Sequence, residues 1–109
     1  MHLSDLAKNT KQLVVNYDTG AGAYDIEIEY RVAAVTLAMI NELDKLDAIE
    51  RVVEQICRVV TDWNIFDGEE KLPITPEAIN AAEIPLDLLV RILAAIREDQ
   101  QLMSAEKKA

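Results

Sequence analysis

Few side chains in this sequence have the chemistry of an active site. The only histidine is His2 and the only cysteine is Cys57. His2 stands beside the N-terminus, and Cys57 falls within an apolar helical pattern with no histidine placed to activate its thiol. We therefore expect Cys57 to be a small core residue. From the sequence we expect no catalytic residue and no cofactor site, and we expect that the protein is not an enzyme.

A metal site is also not predicted. Asp62, Asn64, Asp67 and Gly68 are spaced somewhat like ligands of a calcium loop, but Phe66 takes a ligand position and no glutamate closes the loop in register. Cysteine and histidine residues at zinc-binding spacing are missing from the sequence. Asp67-Gly68 is instead typical of a tight turn.

Length and charge restrict the classes of partner. The chain has 109 residues, and half of them are apolar. This length and composition predict a single domain over 1–109, with flexible tails at 1–10 and 102–109. A net charge of −9 disfavours nucleic acid and anionic membranes as partners. No apolar run is long enough for a membrane span, and the first residues lack a signal-peptide pattern, so we expect a cytoplasmic protein.

Two alternating segments predict an N-terminal β-hairpin. Leu13, Val15 and Tyr17 alternate with polar or smaller residues, and a Gly-containing turn follows. In the second segment one face is apolar and the other charged. The apolar face carries Tyr24, Ile26, Ile28, Tyr30 and Val32, and the charged face carries Asp25, Glu27, Glu29 and Arg31. Such a hairpin needs a helical layer to cover its apolar face.

Helical spacing then dominates. The pattern predicts helices over 35–46, from Asp47 to Trp63, from Thr75 to Ala82, and from Pro85 to about Gln101. Asp47 with Glu50 and Thr75 with Pro76 are typical of helix starts. The predicted fold is α+β and mostly helical, with the hairpin packed on about four helices.

The last predicted helix is apolar around most of its circumference, apart from a narrow stripe containing Asp87 and Arg91, which are spaced to pair. It is either the central helix of the fold or has one face covered by a partner, self-association included. Trp63 and Phe66 either close the core or anchor a partner. The candidate partner-binding residues are Trp63, Phe66, Leu86, Leu89, Val90 and Leu93.

Three segments, 59–68, 72–77 and 84–89, resemble the tail assembly chaperones of long-tailed bacteriophages. The similarity lies in a helix leading to Trp63, a glycine turn, the Thr75-Pro76 helix start and a final helix opening with Pro85-Leu86. The chain departs from that family at Val32-Ala33, where many relatives have Pro-Gly, and at Asn64, where aspartate is common. The resemblance implies a non-enzymatic protein that binds the tape measure protein, keeps it soluble and helps tail tube subunits assemble around it.

Other functions remain open at this point. A small acidic adaptor or regulatory subunit that binds a cellular protein would have the same composition. An inhibitor that imitates DNA would need carboxylates over one broad face, whereas the acidic residues here are dispersed along the sequence.

Overall fold

The alternating segments form the hairpin that the sequence predicts. The computed structural model describes residues 2, 9–34 and 37–108, with side chains to residue 100. Strands β1 (Thr10–Asp18) and β2 (Ala23–Arg31) pair antiparallel, with Leu13 opposite Ile28 and Val15 opposite Ile26. Val15, Ile26, Ile28 and Tyr30 are buried, but Tyr24, which was predicted to share their face, is 59% exposed at the turn end.

The remaining elements alternate between helices and short strands. They are α1 (Leu37–Leu43), α2 (Ala48–Val59), β3 (Val60–Trp63), β4 (Phe66–Asp67), β5 (Glu70–Lys71), α3 (Pro76–Ala81) and α4 (Leu86–Lys108). The α+β class is confirmed, but the helical fraction is 44%, so the prediction of a mostly helical fold is not.

The prediction of a helix running to Trp63 was wrong. Helix α2 ends at Val59, and Val60 turns to extended backbone at φ −84° and ψ 124°. The run Val59-Val60-Thr61 is β-branched throughout, which favours a strand. Residues 60–63 pair antiparallel with β2, so the hairpin becomes a three-stranded sheet in the order β1-β2-β3.

A β-bulge explains why this strand looked helical. Val60 and Trp63 are three positions apart, a spacing that puts two residues on the same face of a helix but on opposite faces of a regular strand. Here Val60 is opposite Tyr30 and Trp63 opposite Ile28, and the register shifts between them. The extra residue lets both side chains point into the core, and both are buried.

Both predicted helix caps are present. The Asp47 carboxylate accepts a 2.8 Å hydrogen bond from the Glu50 N–H, and the Thr75 hydroxyl accepts one from Ala78 at 3.2 Å, with Pro76 in the first turn of α3. The bounds of the other helices differ from prediction. Helix α1 begins at Leu37 and ends at Leu43, inside the predicted 35–46, and α4 continues to Lys108. Val35 and Thr36 lie outside the described residues.

One face of the sheet and the helices enclose the core. In the sequence, Ile49, Val53 and Ile56 have the spacing of one helix face, which predicts that all three are buried; in the structure Ile49 is 61% exposed, whereas Val53, Ile56 and Val59 are buried. The largest fully buried side chains are Trp63, Tyr30, Ile56, Ile92 and Val15. Thr10, placed by the sequence in a flexible N-terminal tail, is the first residue of β1; residues 1 and 3–8 lie outside the described part of the chain.

Candidate partner-binding surface

Cys57 is half-buried in α2 and packs against the core, as the sequence predicts. Burial, assisted by the carboxylates of Glu54 and Glu77, raises the pKa of the Cys57 thiol to about 11. A thiol with this pKa is almost entirely protonated near neutral pH and is therefore a poor nucleophile.

Asp62, one of the residues spaced like ligands of a calcium loop, accepts hydrogen bonds from within the chain. Asp62 Oδ1 accepts hydrogen bonds from the Trp63 N–H at 2.9 Å and from Lys71 Nζ at 3.1 Å. Asp67-Gly68 forms the predicted turn, between β4 and β5, with Gly68 at φ +70°. Across the described residues, no three His, Cys, Asp or Glu side chains are grouped so that they could hold a metal ion. None of the helices described is both long and apolar enough to span a membrane.

The six candidate partner-binding residues divide by exposure. Trp63 and Leu89 are each 2% exposed and belong to the core, so in this conformation they offer no surface to a partner. Trp63 Nε1 also donates a 2.8 Å hydrogen bond to the Leu72 carbonyl, which fastens the segment after β5 to β3. Phe66, Leu86 and Val90 are exposed by 57%, 43% and 47%, and Leu93 is half-buried.

Helix α4 presents three of these residues on one face. Val90 follows Leu86 by four positions and Leu93 follows Val90 by three, a spacing that aligns side chains along a helix. We call Leu86, Val90 and Leu93 the α4 stripe. Phe66 lies on the separate β4–β5 hairpin.

Contacts with the sheet fix the rotation of α4 and so decide which face is exposed. The Tyr17 hydroxyl donates a 2.9 Å hydrogen bond to Asp87, and Arg91 Nε donates a 3.2 Å bond to the Asn16 carbonyl. The predicted ion pair between Asp87 and Arg91 is not formed among the described residues, because both side chains engage β1. The pKa of Tyr17 is raised, chiefly because its hydroxyl donates to the Asp87 carboxylate.

A second set of contacts holds the distal part of α4. Asp99 accepts a 2.5 Å hydrogen bond from the Tyr30 hydroxyl and lies 2.9 Å from Lys11 Nζ. Partial burial opposes ionisation of Asp99, but the hydrogen bonds from Tyr30 and Lys11 outweigh it and lower the pKa of the carboxyl. Burial, followed by the hydrogen bond to Asp99, raises the pKa of Tyr30. Gln100 Nε2 adds a 3.2 Å bond to the Val32 carbonyl.

The α4 stripe leads into a groove between α2 and α4. Leu93 lines a cavity of about 230 Å³ there. Its other lining residues are Val59, Ile96, Gln55, Arg97 and Gln100. Apolar side chains on the floor with longer polar side chains around them suit a groove that receives an amphipathic helix.

Sequence reasoning did not assign Gln55 or Arg97 to this surface. Each is a polar residue on its own helix, and the groove exists only because α2 packs against α4. The available signal was weak: Arg97 follows Leu93 by four positions and so continues the α4 stripe.

Comparison of the chain with models of known protein families, with curated protein sequences and with solved structures yields no match.

Proposed function

We propose that this protein is a non-enzymatic tail assembly chaperone of a long-tailed bacteriophage, acting in the host cytoplasm. Its substrate in this proposal is the tape measure protein, which it keeps soluble while tail tube subunits assemble around it. The observation that carries the proposal is the α4 stripe, in which Leu86 and Val90 are exposed and Leu93 is half-buried on a helix that packs against β1 and α2. The resemblance of segments 59–68, 72–77 and 84–89 to such chaperones supplies the identity of the partner.

The shape of the surface favours a helical partner segment. Leu86 and Val90 extend along α4, and Leu93 connects them to the α2–α4 groove with its polar rim. A partner helix could place apolar residues at matching intervals along the stripe and into the groove. Tape measure proteins of this kind are largely helical, so they offer segments of that type.

The charge of the chain also suits a holding function. A net charge of −9 keeps molecules apart in solution and favours solubility of a complex that contains an aggregation-prone partner. In the described residues every charged side chain is at least partly exposed, so this charge is available at the surface.

Co-expression tests the proposal. The tape measure protein of the same phage is produced with and without this chain, and its soluble fraction is measured. We expect the tape measure protein to become soluble and to co-purify with the chain. If it stays insoluble while the folded chain elutes alone, the proposal is overturned, and a small adaptor with a cellular partner becomes the better hypothesis.

A further inference from the structure

The two outer strands of the three-stranded sheet differ in how their edges are protected. At β3 the strand is four residues long, contains the bulge, and has its Trp63 N–H bonded by the Asp62 carboxylate. Strand β1 is nine residues long, pairs with β2 without a register shift, and contains no proline. A long regular edge without such protection is a template for pairing with another strand.

Two backbone hydrogen bonds, one at each end of the hairpin, show which backbone groups of β1 face outward. The Val32 N–H donates to Asn9 at 3.0 Å and the Thr19 N–H donates to Gly22 at 2.9 Å, one at each end of the ladder. Because bonded pairs alternate along an antiparallel ladder, the odd-numbered residues of β1 bond to β2. The N–H and C=O groups of Thr10, Gln12, Val14, Asn16 and Asp18 therefore point away from the sheet.

Most of this edge is unoccupied. Arg91 Nε bonds the Asn16 carbonyl, which partly closes the edge at that end. Within the described residues the backbone groups of Thr10, Gln12 and Val14 have no hydrogen-bond partner on this side. The side chain of Val14 is also 60% exposed. We call residues 10–14 the open edge.

The outer face beside the open edge is acidic. Asp25 and Glu27 are exposed on β2, Glu29 is half-buried there, and Asp62 is exposed on β3. Arg31 is exposed on the same face of β2 opposite Thr10, and Lys71 forms a 3.1 Å ion pair with Asp62. The four carboxylates therefore outnumber the two basic side chains. Asp25 leans toward β1, since it accepts a 3.2 Å hydrogen bond from Asn16 Nδ2. Gln12, Val14, Glu27, Glu29 and Asp62 line one depression of about 250 Å³, to which Lys71 contributes the basic side chain.

Charge decides between the two candidate occupants of the open edge. A second copy of the chain would join two acidic faces into one sheet and bring together two molecules of net charge −9 each. An extended segment with basic side chains on the outer face would instead lie about 10 Å from β2, within reach of long side chains extending toward Glu27 and Glu29. The acidic face thus favours the basic segment.

We propose that the open edge of β1 binds an extended, basic segment of another protein as an added antiparallel strand. In this segment lysine or arginine occupies every second position, so that the basic side chains lie on the outer face, near its carboxylates. This site is separate from the α4 stripe and does not rest on the proposed chaperone function.

A synthetic nine-residue peptide, Thr-Lys-Val-Lys-Thr-Lys-Val-Lys-Thr, serves as the probe, because it covers the five-residue open edge of β1 with two residues to spare at each end. In an antiparallel pair, the peptide residues that hydrogen-bond to Gln12 and Val14 have their side chains on the same, outer face of the sheet. When the lysine side chains lie on that face, the backbone N–H groups of the lysine residues are therefore the ones that bond to β1. Methylation of the lysine backbone nitrogens should abolish binding. Methylation of the threonine and valine nitrogens, which face the other way, should preserve it.

Calorimetric titration of the full chain with these peptides is the measurement. Glu27→Lys should weaken binding of the unmethylated peptide about fivefold or more, whereas Glu69→Lys, the same change on the β4–β5 turn, should leave it within about twofold. Absence of binding to the wild-type chain, equal binding of the two methylated peptides, or equal losses in the two variants would each overturn the proposal. A free protein that sediments as a dimer, and as a monomer after Val14→Pro, would show that a second copy occupies the edge and would also overturn it.

Discussion

The Tyr30 hydroxyl donates a 2.5 Å hydrogen bond to Asp99 Oδ2 and joins the central strand of the sheet to the last helix across 69 positions of sequence. Tyr30 is fully buried, and Lys11 from β1 contacts the same carboxylate. The three residues come from β1, β2 and α4. Their contact therefore fixes the distal half of the helix whose proximal half carries the α4 stripe.

Removal of the Tyr30 hydroxyl should destabilise the fold. Tyr30→Phe keeps the buried ring but removes a hydrogen bond to a charged acceptor, which is worth about 1.5–3 kcal/mol. Urea unfolding followed by the fluorescence of Trp63, the only tryptophan, measures the change. Tyr24→Phe is the matched control, because Tyr24 is 59% exposed and should change the free energy of unfolding by less than about 0.5 kcal/mol. Equal losses in the two variants would contradict the prediction.

The same contact predicts an acid-sensitive stability. The pKa of Asp99 is lowered in the folded protein, so the folded state binds fewer protons than the unfolded state in the acid range. The stabilisation is complete above the unfolded-state pKa, about 4 for an aspartate, and is lost as the pH falls through the lower, folded-state pKa.

Asp99→Asn tests that linkage. The asparagine oxygen can still accept the Tyr30 hydrogen bond but has no charge to lose. We expect the wild-type chain to be more stable than the variant at pH 7 and the difference to shrink on acidification below pH 4. Urea unfolding of both proteins at several pH values gives the difference between their free energies of unfolding. The other carboxylates are common to both proteins, so their contributions to the pH dependence largely cancel in this difference. A difference that stays constant from pH 7 to pH 3 would contradict the assigned pKa direction.

Sequence patterns predicted the elements that depend on local order. The hairpin followed from alternation around Ile26 and Ile28, and the starts of α2 and α3 from Asp47 and Thr75, because these signals act between near neighbours. The strand at Trp63 was missed because its bulge reproduces helical spacing, and only pairing with β2 reveals it. The exposure of Val90 and burial of Leu89 depend on the rotation of α4, which Tyr17 and Arg91 fix through contacts distant in sequence.

Cys57 should be slow to alkylate in the folded protein. With a pKa near 11 against an ordinary value of 9.0, its thiolate fraction at pH 8 falls from about one tenth to about one thousandth. A thiolate of higher pKa is intrinsically more nucleophilic, which offsets part of this loss, so iodoacetamide should react at least about tenfold more slowly with the native chain than with the chain unfolded in urea. Mass spectrometry of quenched samples gives both rates. Similar rates in the two states would show that the thiol is neither buried nor suppressed by Glu54 and Glu77.

Glu83→Gly should stabilise the chain. Glu83, between α3 and α4, has φ +56°, a left-handed conformation that disfavours residues with a Cβ atom. Glycine removes that strain but also gains freedom in the unfolded state, so we expect a net gain of about 0.5–1 kcal/mol. Glu83→Ala is the control, since it removes the carboxylate and keeps the Cβ atom. Urea unfolding of both variants separates the effect of the lost charge from the effect of the relieved backbone strain. An equal gain in the free energy of unfolding with Glu83→Ala would refute the backbone explanation.

The α4 stripe should tolerate a charge for folding but not for partner binding. Val90 is 47% exposed, so Val90→Asp should lower the free energy of unfolding by no more than about 1 kcal/mol. In a complex the same carboxylate would be buried against apolar side chains with no hydrogen-bond donor or positive charge beside it, and that burial costs several kcal/mol. We therefore expect the variant to fold and to lose the tape measure protein in co-purification.

Ile49→Asp provides the matched control for that experiment. Ile49 is 61% exposed and lies in the first turn of α2, where an acidic residue is compatible with the helix dipole. It makes the same kind of change in side-chain polarity and net charge away from the α4 stripe. Co-purification should survive Ile49→Asp and fail with Val90→Asp. Leu89→Asp is unsuitable, because Leu89 is 2% exposed and its replacement would disrupt the core. If the Val90 and Ile49 variants both retain the partner, α4 is not the contact surface.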